Sequence, residues 1–221
     1  MINPSDFSPQ SIDDCVFGNN DSKFTLENLV NNKLPFPAFG KSGILLYGAW
    51  GTGKTTLAKL LPDAMEQARK QTNAYSSFHK CAMGANGASL ITRIENQAQL
   101  MPSNVSGLHY FILDEVDNLT VAAQQSLKAI MNYEHVVFIM TTNHITKIDQ
   151  GIINRSYLIQ MDAAQPSDWL PLVSRIITAC GVVPPSAAVL LPVIAGCNGS
   201  AREIVSTAVR IAISIAEKKA A

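Results

Sequence analysis

Gly48-Ala49-Trp50-Gly51-Thr52-Gly53-Lys54-Thr55 constrains this chain more than any other stretch. It fits G-x-x-x-x-G-K-[ST], the phosphate-cradling loop. Ile44-Leu45-Leu46-Tyr47 in front of it reads as a buried strand, and Thr56-Leu57-Ala58-Lys59-Leu60-Leu61 behind it as the first turns of a helix. Strand, glycine loop and helix is the order the chemistry requires. The glycines let backbone N–H groups turn inward around an anion. The helix N-terminus adds its dipole and its unpaired N–H groups. In such a loop Lys54 reaches the β- and γ-phosphates, and Thr55 binds Mg²⁺ through its hydroxyl. The spacing, the Lys-Thr pair and the strand in front argue against a chance glycine turn. The loop alone leaves a kinase, a GTPase and an ATPase motor open.

The rest of the chain alternates strands and helices as far as residue 162. An irregular lead-in holds one helix, with Asp21-Ser22 as its expected cap and Phe24, Leu26, Leu29 and Val30 at rough helical spacing. After the phosphate loop a helix is expected to about residue 69, a strand over 75–81, a turn at Gly84-Ala85-Asn86-Gly87 and a helix over 88–100. A buried strand over 110–113 ends in acids. A helix over 120–131 follows, with Thr120 as its cap, and then a buried strand over 135–140. This pattern predicts an α/β fold, a parallel sheet covered by helices on both faces. Beyond Pro166 no strand signal remains, and three helices are expected over 167–179, 186–197 and 200–218. The expected organisation is an α/β nucleotide-binding domain over 1–162 and a small all-helical lid over 163–221.

Composition narrows the class. In 221 residues, 47% are hydrophobic and 15% charged, which fits a folded globular chain. Lys+Arg and Asp+Glu are both 17, so there is no net attraction to nucleic acid. A DNA contact must come from local arrangement or from repetition over several subunits. Cys15, Cys81, Cys180 and Cys197 are scattered without a C-x-x-C pair. That favours reduced thiols and a cytoplasmic protein over disulfides or zinc. Met1-Ile2-Asn3-Pro4-Ser5-Asp6 has neither a basic region nor an apolar core, so no signal peptide is expected. No apolar run is long enough to span a bilayer, and no membrane partner is expected.

A second constellation complements the loop. Phe111-Ile112-Leu113-Asp114-Glu115 delivers two carboxylates at the C-terminal end of a strand, the edge where ligands bind in open α/β sheets. Asp114 suits a Mg²⁺ contact, direct or through water. Glu115 suits orienting and deprotonating an attacking water, which tilts the reading toward hydrolysis. Val136-Val137-Phe138-Ile139-Met140-Thr141-Thr142-Asn143 repeats the design, a buried strand ending in small polar groups. Asn143 either hydrogen-bonds a γ-phosphate or the attacking water, or caps a turn.

Here the chain resembles the AAA+ ATPases, and among them the clamp-loader subunits of the replication factor C type. Phe7-Ser8-Pro9 through Asp13-Asp14-Cys15-Val16-Phe17-Gly18 is similar to the family's N-terminal box. Asp114-Glu115-Val116-Asp117-Asn118-Leu119-Thr120 resembles D-E-x-D-x-[LM]-T, and Ala122-Ala123-Gln124-Gln125-Ser126-Leu127-Lys128 resembles A-A-Q-x-A-L-[RK]. Asn143 matches the sensor-1 Asn. Asn154-Arg155-Ser156 falls where the family has S-R-C, and Gly199-Ser200-Ala201-Arg202 resembles the sensor-2 G-x-x-R. The resemblance implies ATP and Mg²⁺ as cofactors. Val16 and Phe17 would lie against the adenine. Gly48, Ala49, Trp50, Gly51, Thr52, Gly53, Lys54, Thr55 and Thr56 would cradle the phosphates. Thr55 and Asp114 would hold the metal, and Glu115 would polarise water. Asn143 would sense the γ-phosphate, and Arg202 would reach it from the lid of the same subunit. Arg155 would act as an arginine finger on a neighbouring subunit's ATP; the alternative is a surface arginine in a local contact. For DNA, the resemblance points to Lys80, Arg93 and Lys128.

Four departures stand out. Trp50 occupies a position where the family usually has Pro. The second strand offers Lys80 or Cys81, and no Asn, to restrain Glu115. Asn132 replaces the usual acid at the end of the central helix. The third helical domain that forms a collar in clamp-loader subunits is expected to be absent, because the sequence stops after the lid. Assembly would then use the AAA+ faces in a homo- or hetero-oligomer, a partner protein, or DNA. The last helix, with Ile204, Val205, Ala208, Val209, Ile211, Ala212, Ile213 and Ile215, is either the lid's buried centre or partly a contact face. The expected function is an oligomeric ATPase acting on DNA in replication, resembling a minimal sliding-clamp loader. A helicase loader, a transposition regulator, another remodeller, and an ATP-dependent structural subunit of a polymerase or replication complex are the alternatives.

Overall fold

The computed structural model describes residues 7–70, 74–82 and 84–220. The N-terminal hexapeptide read above for a signal sequence lies outside the described residues. Two compact units emerge. Among the described residues, one comprises those within 20–48 and 54–161, and the other those within 162–220 together with 7–19 and 49–53.

The first unit is built on five parallel strands: β1 (Gly43–Tyr47), β2 (Ser76–Lys80), β3 (His109–Asp114), β4 (Val136–Thr142) and β5 (Ser156–Gln160). Their spatial order is β2-β3-β4-β1-β5. Every residue of β3 and β4 is buried, as apolar runs covered on both faces should be. The edge strand β2 alternates exposed and half-buried. Five helices accompany the sheet: α1 (Asn20–Val30), α2 (Lys54–Ala68), α3 (Ala88–Ala98), α4 (Val121–Ile130) and α5 (Gln150–Asn154). Leu45, Phe111, Leu113, Phe138 and Met140 pack with Leu90, Ile91 and Ile94 of α3, Ala123 and Leu127 of α4, and Ile152 of α5. Period-2 alternation sends Ile44, Leu46, Tyr110, Ile112 and Ile139 to the opposite face, where α1 and α2 lie against the sheet.

Neither β5 nor α5 announces itself in the sequence. Among the described residues β5 pairs only with β1; its burial is partial, and its five residues follow directly on Arg155. α5 has five residues, too few for a helical period to show, and Asp149 starts it by accepting from the Gly151 N–H at 2.7 Å. One cap is corrected. Helix α1 begins at Asn20, which places Asp21 and Ser22 inside its first turn, and Ser22 Oγ accepts from the Gln160 N–H at 3.0 Å and ties the helix to β5. Thr120 does cap α4, accepting from the Ala123 N–H at 3.2 Å.

The second unit is all-helical: α6 (Pro166–Ala179), α7 (Ala187–Ala195) and α8 (Ala201–Ala220). Ile204, Ala208 and Ala212 form the buried stripe of α8 at i, i+4, i+8 and pack with Trp169, Val173, Ile176 and Ile177 of α6 and Leu190 and Ile194 of α7. Ile213 lies off that stripe, 48% exposed. Phe7 joins this core, with Val16 against it, so the N-terminal segment belongs to the helical unit. Among the described residues no helix is long and apolar enough to cross a membrane, and no three His, Cys, Asp or Glu gather to hold a metal.

Candidate active site

The phosphate loop leaves β1 and enters α2. Gly48 has φ 142°, and a Cβ there would sit 2.4 Å from the Met161 carbonyl oxygen, so only glycine fits. Thr52 Oγ1 donates to the Ala49 carbonyl at 3.0 Å and closes the turn. Lys54 opens α2 and folds its ammonium back onto the loop, 3.0 Å from the Gly48 carbonyl. Burial pushes the Lys54 ammonium below its usual range, while the negative charges of Asp114 and Asp117 oppose that shift. Thr55 and Thr56 follow in the first turn, half-buried and exposed respectively. Trp50 is 69% exposed.

Within the helical unit, the Ala201 N–H donates to the Gly51 carbonyl at 2.9 Å. A Cβ on Gly51 would fall 2.6 Å from Ser200 Oγ. The first turn of α8 is thereby fastened to the loop's outer residues, and Arg202, exposed, stands one residue beyond the contact. Val16 and Phe17 are half-buried in the same unit.

The acids lie at the C-terminal end of β3. Asp114 is buried, and its Oδ1 accepts from the Thr55 hydroxyl at 2.7 Å and from the Thr141 hydroxyl at 2.7 Å. A hydroxyl and a carboxylate in contact beside a phosphate loop are a hard-oxygen donor pair, which fits Mg²⁺. Glu115 departs from strand geometry at φ 60° and ψ 49°, and its N–H donates to Thr141 Oγ1 at 3.0 Å. Its carboxylate lies 3.6 Å from Lys80 Nζ. Asp117 accepts from Thr142 Oγ1 at 2.8 Å, and Thr142 Oγ1 accepts in turn from the His144 N–H at 2.9 Å. These contacts hold the two loops after β3 and β4 together and place half-buried Asn143 between Thr142 and His144. Cys81, beside the acids, is buried; burial first, and then the charges of Asp114, Glu115 and Asp117, push its thiol up to about 12.

Arg155 is placed elsewhere. Its backbone carbonyl accepts from Ser42 and Gly43 at the start of β1, whereas the phosphate loop begins after Tyr47 at the other end. Four strand steps make that about 13 Å. Its guanidinium is held by Asn132 Oδ1, 3.0 Å from Nε, and by the Gly151 carbonyl, 3.1 Å from Nη1. Lys128 Nζ lies 3.1 Å from Asp149 Oδ1, and Lys80 is paired with Glu115, so two of the three expected DNA contacts already face acids. Arg93 is exposed on α3. The sequence marks Thr141 and Thr142 only as small polar residues ending a strand. Their one signal is two hydroxyls following five buried apolar residues.

The family described as "ATPase family associated with various cellular activities (AAA)" matches residues 44–162. Replication factor C small subunit 1 of Pyrobaculum aerophilum is 31% identical over 159 residues, covering 67% of this chain and 43% of that protein. The replication factor C small subunit of Thermoplasma acidophilum is 28% identical over 163 residues, covering 70% of this chain and 46% of its own. The chain thus spans less than half the length of these relatives. Among solved structures, the Thermotoga maritima RuvB Holliday junction branch migration motor superposes with a TM-score of 0.70 over 96% of this chain and 67% of that one, at 16% identity. At that identity the likeness is one of fold.

Proposed function

The chain belongs to the AAA family of ATPases, and from that premise we propose an oligomeric ATPase that acts on DNA in replication, as a subunit resembling those of sliding-clamp loaders. ATP with Mg²⁺ is held on the phosphate loop and hydrolysed where two subunits meet. The observation that carries this reading is the position of Arg155. It sits at the opposite end of β1 from its own phosphate loop, about 13 Å away along the strand. An arginine so placed has no phosphate of its own chain to serve, and its anchors on Asn132 and Gly151 hold it ready for a neighbour's.

The roles of the remaining groups follow from their contacts. Backbone N–H groups of the loop and the Lys54 ammonium bind the phosphates, and the incoming charge offsets the burial that pushes Lys54 down. Thr55 and Asp114 hold Mg²⁺, which supplies charge neutralisation at the phosphates. Glu115 takes a proton from the attacking water, and Asn143 orients the γ-phosphate end. Arg202, one residue beyond the Ala201–Gly51 contact, is assigned to the γ-phosphate of its own subunit. Lys80, Arg93 and Lys128, repeated once per subunit, follow a DNA backbone, so binding weakens as salt rises.

Steady-state ATP hydrolysis against protein concentration, with and without primed DNA, tests this for the wild type and Arg155→Ala. The expected outcome is a specific rate that climbs with concentration and with DNA, and that falls about 10³-fold or more in R155A. A rate indifferent to concentration, DNA and Arg155 would remove both the finger and the DNA role. Stimulation by DNA without any response to a sliding clamp would move the reading to another remodeller of the family.

A further inference from the structure

Asp114 and Glu115 leave β3 side by side, and one side chain on the next strand touches both. Thr141 is the sixth residue of β4 and is 2% exposed. Its hydroxyl donates to Asp114 Oδ1 at 2.7 Å, and the same oxygen accepts from the Glu115 N–H at 3.0 Å. A hydroxyl has one hydrogen and two lone pairs, so its donor is committed to the first acid and one acceptor to the second.

The bridge answers a local problem. Glu115 adopts φ 60° and ψ 49°, a left-handed conformation that side chains other than glycine enter rarely. The turn takes its N–H out of the sheet ladder, and a half-buried N–H needs an acceptor. Thr141 supplies one at 3.0 Å. The same hydroxyl orients Asp114 Oδ1. Thr55 also donates to that oxygen at 2.7 Å. With Thr55 committed to a metal, Thr141 is the donor that continues to fix the carboxylate.

We propose that Thr141 is a positioning residue for ATP hydrolysis, holding Glu115 in its left-handed turn and Asp114 in its orientation through one bridging hydroxyl. This rests on the reading of Glu115 as the group that activates water. Valine has the same branched shape but neither the donor nor the acceptor, whereas serine keeps both and loses only the methyl group.

The test compares Thr141→Val, Thr141→Ser and Glu115→Gln in the full chain with primed DNA. It reads kcat and KM for ATP, affinity for a fluorescent ATP analogue in EDTA, and hydrogen exchange of the peptide spanning Glu115. For T141V, kcat falls about 100-fold, as expected for a misplaced catalytic group. KM and metal-free nucleotide affinity stay within about threefold, since binding is not what the bridge serves. Exchange at Glu115 accelerates, and T141S returns kcat to within about threefold of wild type. Wild-type turnover in T141V, or T141S as slow as T141V, overturns the assignment. If T141V does not fold, Thr141→Ala against T141S carries the same comparison. An active E115Q instead overturns the underlying reading of Glu115, and a dead E115Q beside a fast T141V overturns only the bridge.

Discussion

Lys80 Nζ lies 3.6 Å from Glu115 Oε2, so the strand next to β3 tethers the group assigned to water activation. Lys80 ends β2 in register with Asp114. The lysine side chain is 58% exposed and the glutamate 39%. A pair so exposed contributes at most about 1 kcal/mol and is weakened further by salt. A tether of that strength is within reach of a competing phosphate. Lys80→Ala should raise DNA-free turnover by no more than about fivefold, the rate equivalent of that energy. It should also reduce the stimulation by DNA and leave the melting temperature unchanged. Undiminished stimulation in K80A would mean that the tether does not connect DNA to Glu115.

Asn132 is one of two anchors of the Arg155 guanidinium. A neutral acceptor on a charged donor is worth about 1 kcal/mol net at a half-exposed site. Asn132→Ala should therefore lower kcat about fivefold with little change in stability. The loss should vanish in an Arg155→Ala background, which a double-mutant cycle in steady-state hydrolysis would read directly.

Asp149 gives the fold an acid-sensitive joint. The Lys128 ammonium and the Gly151 N–H hold its carboxyl below the usual value of 3.8. The charged form is thus favoured in the folded state. The stabilisation is present above pH 3.8 and is lost as pH falls through the lower folded value. Thermal melts from about pH 5 down to about pH 2 should show the wild type losing more stability than Asp149→Asn, which still caps α5 but does not titrate. Parallel curves would show that the Lys128 contact contributes nothing.

Gly48→Ala should be more severe than any of these. The new Cβ would meet the Met161 carbonyl oxygen at 2.4 Å, on a backbone with φ 142°. Clash and strain together should cost about 3 kcal/mol or more. Loss of melting temperature and of nucleotide binding should appear together, because the first residue of the loop packs directly on Met161, the residue after β5.

The loop, its strand and its helix were legible in the sequence because their chemistry is local. Eight consecutive residues carry the spacing that a phosphate needs, and the runs on either side carry their own periods. The buried runs of β3 and β4 were legible for a similar reason, since the middle of a strand covered on both faces reads as a continuous apolar run. Asp114 and Glu115 could be placed at the sheet's ligand edge from chain order alone. Tertiary structure decided what spacing cannot encode. β5 exists because β1 offers it an open ladder, a fact that five mixed residues do not announce. The Lys80–Glu115 pair, the Asn132 anchor of Arg155 and the Thr141 bridge each join residues more than twenty positions apart. Such contacts depend on which strands become neighbours. Sequence periodicity reports which face of an element is buried, but the identity of the partner across that face is set only when the sheet closes in the order β2-β3-β4-β1-β5.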